Sequence, residues 1–361
     1  MARIGVNALY LIPGGVGGTE IYLRELLAAL AAIDSGNEYF VFTNLETGQD
    51  LTPKRANFQW KPQAVHAKFR PARMAWEQTI LPLEASRFKL DVLFNPGFTS
   101  PILAPCPCVT VFHDLQHKRH PEYFRWFDLP FWRFFLWASV QRAARIVAVS
   151  EATRADLLYF YRVPELRIHV VHHGVDPALL DLHRERPERF VLCVSTLHPH
   201  KNIDRLIRAY AREKRDYSLA LAGMRGFHAE AIDRLIDELG VRDRVTLTGW
   251  ISRPELYDLY DRALACIYPS TFEGFGMPVL EAMAAGVPVA CSDTPPLREV
   301  AGDTALYFDP LDEDALASAL TRIAYDGPLR AKLSRIGRER ARGFAWERAA
   351  RQTLDVLLAC C

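Results

Sequence analysis

Two glutamates separated by seven residues, Glu273 and Glu281, enclose the part of the chain best suited to chemistry. Between them, Gly274 and Gly276 allow a ligand to approach the backbone closely. A helix that begins here would point free N–H groups, expected at residues 276–279, and the positive end of its dipole toward an anion. Carboxylates bind hydroxyls rather than phosphates. The stretch therefore predicts a site for a diphosphate that also carries sugar hydroxyls.

The flanking residues predict the elements that position these groups. An apolar run from Ala263 to Tyr268 is typical of a buried strand. Pro278 suits the first helical position, because its missing N–H would have no partner there, and Gly286 suits the residue after a helix end. The order is therefore strand, loop and helix, with Glu281 expected in the first helical turn.

The run Glu-Gly-Phe-Gly-Met-Pro-Val-Leu-Glu, residues 273–281, resembles the signature of the family-four retaining glycosyltransferases. The resemblance implies that Glu273 contacts the donor sugar and that Glu281 accepts hydrogen bonds from the ribose hydroxyls. The same resemblance implies that the intervening residues bind the donor, namely Gly274, Phe275, Gly276, Met277 and Val279. An ordinary strand-to-helix turn with two surface acids would require each of these residue types to be coincidental.

A second strand-to-helix loop supplies a cation. The strand from Phe190 to Ser195 leads into Lys201-Asn, which resembles the phosphate-binding lysine of the family; alone, the lysine would be read as solvated. Many members carry an arginine about five residues earlier, where this chain has Thr196. We keep Thr196 as a donor-binding candidate and expect another cation, Arg225 or His200, to share the phosphate charge.

The amino-terminal region opens as a strand followed by a glycine-rich turn. A nicotinamide-binding pattern is disfavoured, because the third glycine position is Glu20 and the second strand ends in Asn44 rather than an acid. By resemblance, Gly17 and Gly18 shape the phosphate and acceptor region, although a tight turn explains them equally well. His113, at the end of a strand, resembles the family histidine that contacts the donor sugar; a structural histidine is the alternative.

Four further segments have less specific interpretations. Trp250 follows a strand where the family contacts the nucleobase, and the loop Ser292–Glu299 is expected near the ligand. Asp312 and Asp314 precede a predicted helix, so we interpret them as capping acids rather than metal ligands. Residues 45–90 contain four prolines and predict only short pieces.

Residues 123–137 contain nine aromatic residues interleaved with Arg125 and Arg133. Rings and cations together are typical of a contact with an anionic membrane or a lipid-linked acceptor. The helical spacing of Phe131, Phe134 and Phe135 favours the alternative slightly, in which the rings pack one helix onto a sheet.

The composition limits the classes of protein. A formal charge of +1 gives no reason to expect nucleic-acid binding, and seven cysteines without paired spacing indicate neither zinc nor a disulfide framework. No apolar run is long enough to cross a bilayer, and the first residues resemble a strand rather than a signal peptide. We therefore expect a cytoplasmic protein, located at the inner face of the cell membrane if the aromatic segment contacts lipid.

The resemblance implies an α/β protein of the GT-B class, with two doubly wound Rossmann-like domains facing a cleft. The predicted domains are residues 1–176 and residues 187–343. A C-terminal helix at 344–361 is expected to cross back to the first domain. The implied activity is metal-independent, retaining transfer of a mannose- or glucose-type hexose from a GDP- or UDP-linked donor to a glycan or lipid-linked acceptor. A sugar-nucleotide epimerase of the same fold and a non-catalytic sugar-nucleotide-binding partner remain as alternatives.

Overall fold

The computed structural model describes residues 1–15, 17–185, 187–212 and 216–361. These residues form two compact units, one comprising Met1–Gly174 with Trp346–Cys361 and the other Val175–Ala345. The division thus lies before the predicted hinge at residues 176–187, and the described part of that hinge belongs to the second unit. Arg184 fixes it there, because its guanidinium donates to the carbonyl oxygens of Tyr260, Asp261 and Gly286.

The first unit is built on a seven-stranded parallel sheet in its described residues, with the strand order β3-β2-β1-β4-β5-β6-β7. The strands are β1 Arg3–Ala8, β2 Glu38–Thr43, β3 Phe58–Pro62, β4 Val92–Asn95, β5 Cys108–Phe112, β6 Arg145–Ala148 and β7 Ile168–Val170. The helices are α1 Gly18–Ile33, α2 Arg70–Arg87, α3 Gln116–Arg119, α4 Leu129–Arg142 and α5 Glu151–Tyr161. The order reverses between β1 and β4, and such a reversal is where open α/β sheets bind ligands.

Two segments of this unit differ from expectation. Residues 45–90 were predicted to be short pieces, but α2 is a helix of 18 residues that tolerates Pro71 in its first turn and contains Pro82 internally. In α4 the buried residues are Leu136, Ala138 and their neighbours, whereas Phe131 and Phe134, which precede them, are exposed. The packing interpretation of the aromatic segment is therefore wrong for Phe131 and Phe134.

The second unit contains a six-stranded parallel sheet in the order β10-β9-β8-β11-β12-β13, again counted over the described residues. Its strands are β8 Phe190–Val194, β9 Ser218–Ala222, β10 Val245–Gly249, β11 Ala265–Tyr268, β12 Val289–Ser292 and β13 Leu306–Phe308. Its helices are α6 Pro177–Leu180, α7 Ile203–Ala211, α8 Ala229–Glu238, α9 Arg253–Arg262, α10 Met277–Ala284, α11 Pro295–Ala301, α12 Glu313–Tyr325 and α13 Gly327–Ala341. This sheet also reverses its order, between β8 and β11.

The prediction of a loop at residues 292–299 is wrong for its second half, because α11 begins at Pro295. Pro295 and Pro296 occupy the first turn of that helix, where proline is accepted because no hydrogen-bond donor is needed. The final helix, α14 Trp346–Leu358, belongs to the first unit and packs on α1. Gly174 is required for this packing, since a Cβ there would lie 2.3 Å from the backbone nitrogen of Trp346.

Candidate functional site

The loops after β8 and β11 meet where the sheet of the second unit reverses its order. The carbonyl oxygen of His200 accepts hydrogen bonds from the Thr271 N–H at 2.8 Å and from the Ser270 hydroxyl at 3.2 Å. Asn202, in the left-handed conformation, donates its side-chain amide to the Pro269 carbonyl at 3.0 Å. These bonds hold the turn that carries Lys201 against the loop that carries Glu273.

Lys201 and Glu273 form a partly buried ion pair with Tyr268. The Lys201 Nζ lies 2.6 Å from Glu273 Oε1 and 3.1 Å from the Tyr268 hydroxyl, which itself donates to Glu273 Oε1 at 2.6 Å. The side chains of Lys201 and Glu273 are only 16% and 12% exposed. Burial opposes ionisation of Glu273, but the neighbouring ammonium and the hydroxyl hydrogen bond outweigh it and lower the pKa of Glu273. The site thus combines a cation with a carboxylate kept ionised.

The first turn of α10 lies directly after this loop. Gly276 caps the helix with φ 113°, and a Cβ at this position would lie 2.5 Å from Leu297 Cδ2, so only glycine fits. The expectation of free N–H groups across 276–279 is wrong for two residues: Pro278 has none, and Val279 donates to the Gly276 carbonyl at 3.0 Å. Gly276 and Met277 precede the hydrogen-bond ladder of the helix, so their N–H groups can face an anion.

The side chains of Phe275 and Val279 are buried, in contrast to the partly exposed Gly274 and Met277. The Phe275 ring contacts that of Phe344 at 6.1 Å between centroids. The donor-binding role predicted for Phe275 and Val279 stays a prediction, and the buried side chains make the backbone the part of each residue suited to it. These two residues act by packing the start of α10 against the core.

Glu281 lies in the second turn of α10, not in the first as predicted. Its carboxylate accepts a hydrogen bond of 3.1 Å from the hydroxyl of Tyr260, a fully buried residue of α9. Burial is the main influence on this carboxylate, and it raises the pKa of Glu281 from its ordinary 4.5 to about 7, against the effects of Tyr260 and Arg253. Glu281 is therefore poised to gain or lose a proton near neutrality.

The remaining predicted donor residues of the second unit lie at the carboxyl ends of its strands. Thr196 is partly exposed in the loop after β8, and Trp250, 66% exposed, follows β10. Arg225, one suggested substitute for the missing arginine, forms an ion pair with Asp233. His200 stacks on His198 with the ring centroids 5.8 Å apart. The cation that would share the phosphate charge with Lys201 stays a prediction.

The acids proposed as helix caps serve in that way. The Asp312 carboxylate accepts hydrogen bonds from the N–H groups of Asp314 and Ala315 at 2.8 and 3.1 Å, at the start of α12. Asp314 forms an ion pair with Arg212. Over the described residues, no cluster of three histidine, cysteine or acidic side chains is arranged to hold a metal ion.

In the first unit, His113 lies at the end of β5 in a pocket of rings. Its Nε2 is 2.9 Å from the carbonyl oxygen of Pro96, which can only accept, so this nitrogen carries the proton. The rings of Tyr22 and Phe98 lie 4.9 and 5.2 Å away. Burial lowers the pKa of His113 to about 4. The histidine is therefore neutral at physiological pH, and the structure places it in a different unit from Lys201 and Glu273.

The glycine-rich turn before α1 leaves space for a ligand. Gly17 caps α1 with φ 58°, Gly18 is its first residue, and a Cβ at either position would meet nothing within 4 Å. The turn includes Val16, which lies outside the described residues. The openness of the turn agrees with the predicted role without testing it.

Sequence reasoning missed a polar cluster where β1 and β4 end. Glu77 of α2 is buried and accepts hydrogen bonds from Asn7 at 3.1 Å and Thr99 at 3.0 Å. Asn7 also donates to Asn95, the last residue of β4, at 3.0 Å. The loop after β4 is strained, because Phe98 adopts φ 71° without being glycine. The available signal was the polar turn that begins at Asn95, directly after a buried strand.

The comparisons with known proteins agree with this architecture. The model for "Glycosyltransferase Family 4" matches residues 16–179, and that for "Glycosyl transferases group 1" matches residues 181–340. The O-antigen chain mannosyltransferase B of Escherichia coli is 31% identical over 302 residues, which are 79% of this chain and 77% of that protein.

Solved structures share the fold across the whole chain. Sucrose-phosphate synthase from Thermosynechococcus elongatus superposes with a TM-score of 0.82 at 22% identity, covering 99% of each chain. HepE of Anabaena, in complex with UDP and glucose, gives a TM-score of 0.78 at 18% identity over 99% of this chain and 100% of its own. Two parallel-sheet Rossmann-like units matching these structures show the GT-B fold. The chain belongs to the group 1 glycosyltransferase family, and it resembles the mannosyltransferases within that family.

Proposed function

We propose that this enzyme transfers a hexose, with mannose as the first candidate, from a nucleotide diphosphate sugar to a hydroxyl of a glycan or lipid-linked acceptor, with retention of the anomeric configuration. The observation that carries the proposal is the Lys201–Tyr268–Glu273 cluster beside the start of α10. Mannose is suggested by the mannosyltransferase of Escherichia coli, and a nucleotide diphosphate by the UDP complex of HepE.

In this proposal the chain stabilises a departing diphosphate by fixed charges. The Lys201 ammonium and the N–H groups of Gly276 and Met277 would interact with the phosphates, and Glu281 would accept hydrogen bonds from the ribose. Glu273 would hold the sugar, and His113 is assigned to the sugar by resemblance. Electrostatic stabilisation by preorganised groups is the largest catalytic term in many enzymes, so a protein nucleophile is not required.

The proposal is tested in two steps on the full chain. GDP- and UDP-linked hexoses are first screened for thermal stabilisation, because a ligand that binds only the folded state raises the melting temperature. The stabilising donor is then incubated with candidate acceptors, and the anomeric configuration of the product is determined by NMR. Inversion would contradict the mechanism, interconversion of the donor sugar without acceptor would favour an epimerase, and donor binding without turnover would favour a non-catalytic protein.

We further propose peripheral contact with an anionic membrane, through the exposed aromatic segment of the first unit. Trp126 is 84% exposed, and Phe134 and Trp137 are about half exposed, with Arg125 and Arg133 also on the surface. Among the described residues, no helix has the length and apolar character needed to cross a bilayer. Exposed apolar patches rimmed by polar residues mark interaction sites, and aromatic and basic residues together suit the lipid headgroup region.

Replacing Arg125 and Arg133 by serine should weaken binding to anionic vesicles. Each basic group near an anionic bilayer contributes about 1 kcal/mol, so a roughly tenfold or greater loss is expected at low salt. Co-sedimentation with vesicles with and without anionic lipid measures it. The matched control replaces Lys332 and Arg335, exposed cations of the second unit, by serine. Equal binding by both variants and the native chain would make the segment irrelevant to membranes.

Activity should survive an excess of chelator. The acids that could suggest a metal site are occupied, with Asp312 capping α12 and Asp314 paired with Arg212. Transfer is measured with EDTA present and compared with the untreated enzyme. Loss of activity with recovery on adding magnesium or manganese would contradict the metal-independent mechanism.

A further inference from the structure

The first unit contains a buried arginine whose charge no nearby carboxylate neutralises directly. Arg73 of α2 is 6% exposed, and its one hydrogen bond within the described residues runs from Nη2 to the sulfur of Met74 at 3.6 Å. No carboxylate oxygen among these residues lies within ion-pair distance of its guanidinium. A guanidinium has five N–H donors and stays protonated in proteins, so burying it without an anion is costly.

The nearest acid, Glu77, is already committed elsewhere. It lies one helical turn after Arg73 and accepts hydrogen bonds from Asn7, Thr99 and Gln78. Its charge acts on Arg73 only through space. The Nε and Nη1 atoms of Arg73 have no partner, yet they are not among the polar atoms sealed from solvent. These two atoms therefore keep some contact with solvent.

A second arginine approaches from the same face of the helix. Arg70, three residues earlier and exposed, carries its guanidinium 4.9 Å from the centroid of the Trp132 ring in α4. The two like charges repel each other, and an anion between them would remove that repulsion. Trp132 belongs to the aromatic segment, so Arg70 lies between that segment and Arg73.

The surroundings of Arg73 place it where the sheet of the first unit reverses its order. Tyr10, which follows β1 and interacts electrostatically with Arg73, donates its hydroxyl to the Thr19 carbonyl at 3.2 Å. Its ring lies on Gly97 after β4, where a Cβ would come within 2.2 Å of the ring. Arg73 therefore lies near the ends of β1 and β4, the position where doubly wound sheets bind ligands.

We propose that Arg73, assisted by Arg70, binds a phosphate or diphosphate group of the acceptor. The inference rests on the proposed glycosyl transfer and specifies its acceptor as a phosphorylated, lipid-linked one. The lipid would lie along the aromatic segment and the phosphate at the two arginines. A planar guanidinium fork matches phosphate oxygens, which a lysine would contact only as a point charge.

The test is calorimetric titration of the full chain with decyl diphosphate, below its micelle concentration, and with decyl glucoside as the uncharged comparison. The native chain should bind decyl diphosphate at least tenfold more tightly than decyl glucoside. Arg73→Met should remove that preference, whereas Arg87→Met, at the exposed far end of the same helix, should retain it. Equal binding of decyl diphosphate by Arg73→Met and the native chain would overturn the proposal.

Two controls separate this site from the donor site and from a folding role. GDP and UDP affinities should be unchanged in Arg73→Met; a selective fall in nucleotide affinity would assign the arginine to the donor phosphate and overturn the proposal. Without ligand, Arg73→Met should melt no lower than the native chain, since an uncompensated buried cation is removed. If Arg73→Met fails to fold, the exposed Arg70→Gln should still weaken decyl diphosphate binding several-fold, and no change would refute it. Failure of glycosyl transfer itself would appear as loss of donor binding or turnover in the native chain.

Discussion

Lys201→Ala should slow turnover by raising the activation free energy by about 2–4 kcal/mol, which is the scale for losing one preorganised charge contact. In the free enzyme the ammonium contacts Glu273 at 2.6 Å, and in the proposed reaction it stabilises the departing diphosphate. The loss should appear in kcat as well as in kcat/KM, because charge on the leaving group increases toward the transition state. Steady-state kinetics with saturating acceptor measures both constants.

The control for this substitution is Lys332→Ala, an exposed lysine of the same unit. Removing Lys201 also leaves Glu273 without its cation, so thermal unfolding must be followed in parallel. Lys201→Met combined with Glu273→Gln removes both charges and restores neutrality. Native kinetics in Lys201→Ala would exclude this residue from the site, whereas low activity in a variant that melts like the native chain would support its chemical role.

Donor affinity should rise about tenfold per pH unit between pH 5 and pH 7, and level off above. The ribose hydroxyls require an ionised acceptor, and burial holds the pKa of Glu281 at about 7 in the free enzyme. Below this value the carboxyl must lose its proton before it can accept both hydroxyl hydrogen bonds. Titrations of nucleotide binding at several pH values measure the effect.

The same carboxyl should change stability with the opposite sign. Because its folded pKa lies above the ordinary 4.5, its contribution to stability is fully present below pH 4.5 and is lost as the pH rises through about 7. In Glu281→Gln both dependences should disappear. Tyr260→Phe removes the hydrogen bond to the carboxylate and should move the affinity midpoint to higher pH. An unchanged pH profile in Glu281→Gln would refute the role of Glu281.

The parts of the second unit that follow from local pattern could be predicted from the sequence. Resemblance to the family assigned both the lysine after β8 and the glutamate after β11 to the donor, and parallel strands do place the loops after them at one edge of the sheet. The participation of Tyr268 in this ion pair could not be predicted, because the sequence does not indicate where the hydroxyl of a tyrosine at the end of an apolar strand points. α10 begins at Met277, one residue before the predicted first position at Pro278. This start depends on how Gly276 fits against Leu297, which the sequence does not show.

The first unit shows where such reasoning fails. Pro71 and Pro82 suggested breaks, but one occupies the first turn of α2 and the other is accommodated within it. Arg73 and Glu77 therefore seemed to lie on no regular element, and their burial comes entirely from tertiary packing. The prediction for the aromatic segment was wrong for a different reason. Helical spacing identifies one face of a helix, but it does not show whether that face meets the core. In α4 the buried face is formed by Leu136 and Ala138 rather than by Phe131 and Phe134.

The contact between Lys201 and Glu273 also bears on which ligands the second unit rejects. An inorganic phosphate would draw the ammonium away and leave a buried carboxylate without its cation, a loss of about 3–5 kcal/mol for buried pairs. In the proposed reaction a sugar nucleotide would bring hydroxyls to Glu273 and phosphate to Lys201 together, so neither group would lose a partner. We therefore expect the second unit to discriminate against simple phosphate ions and to favour the complete donor.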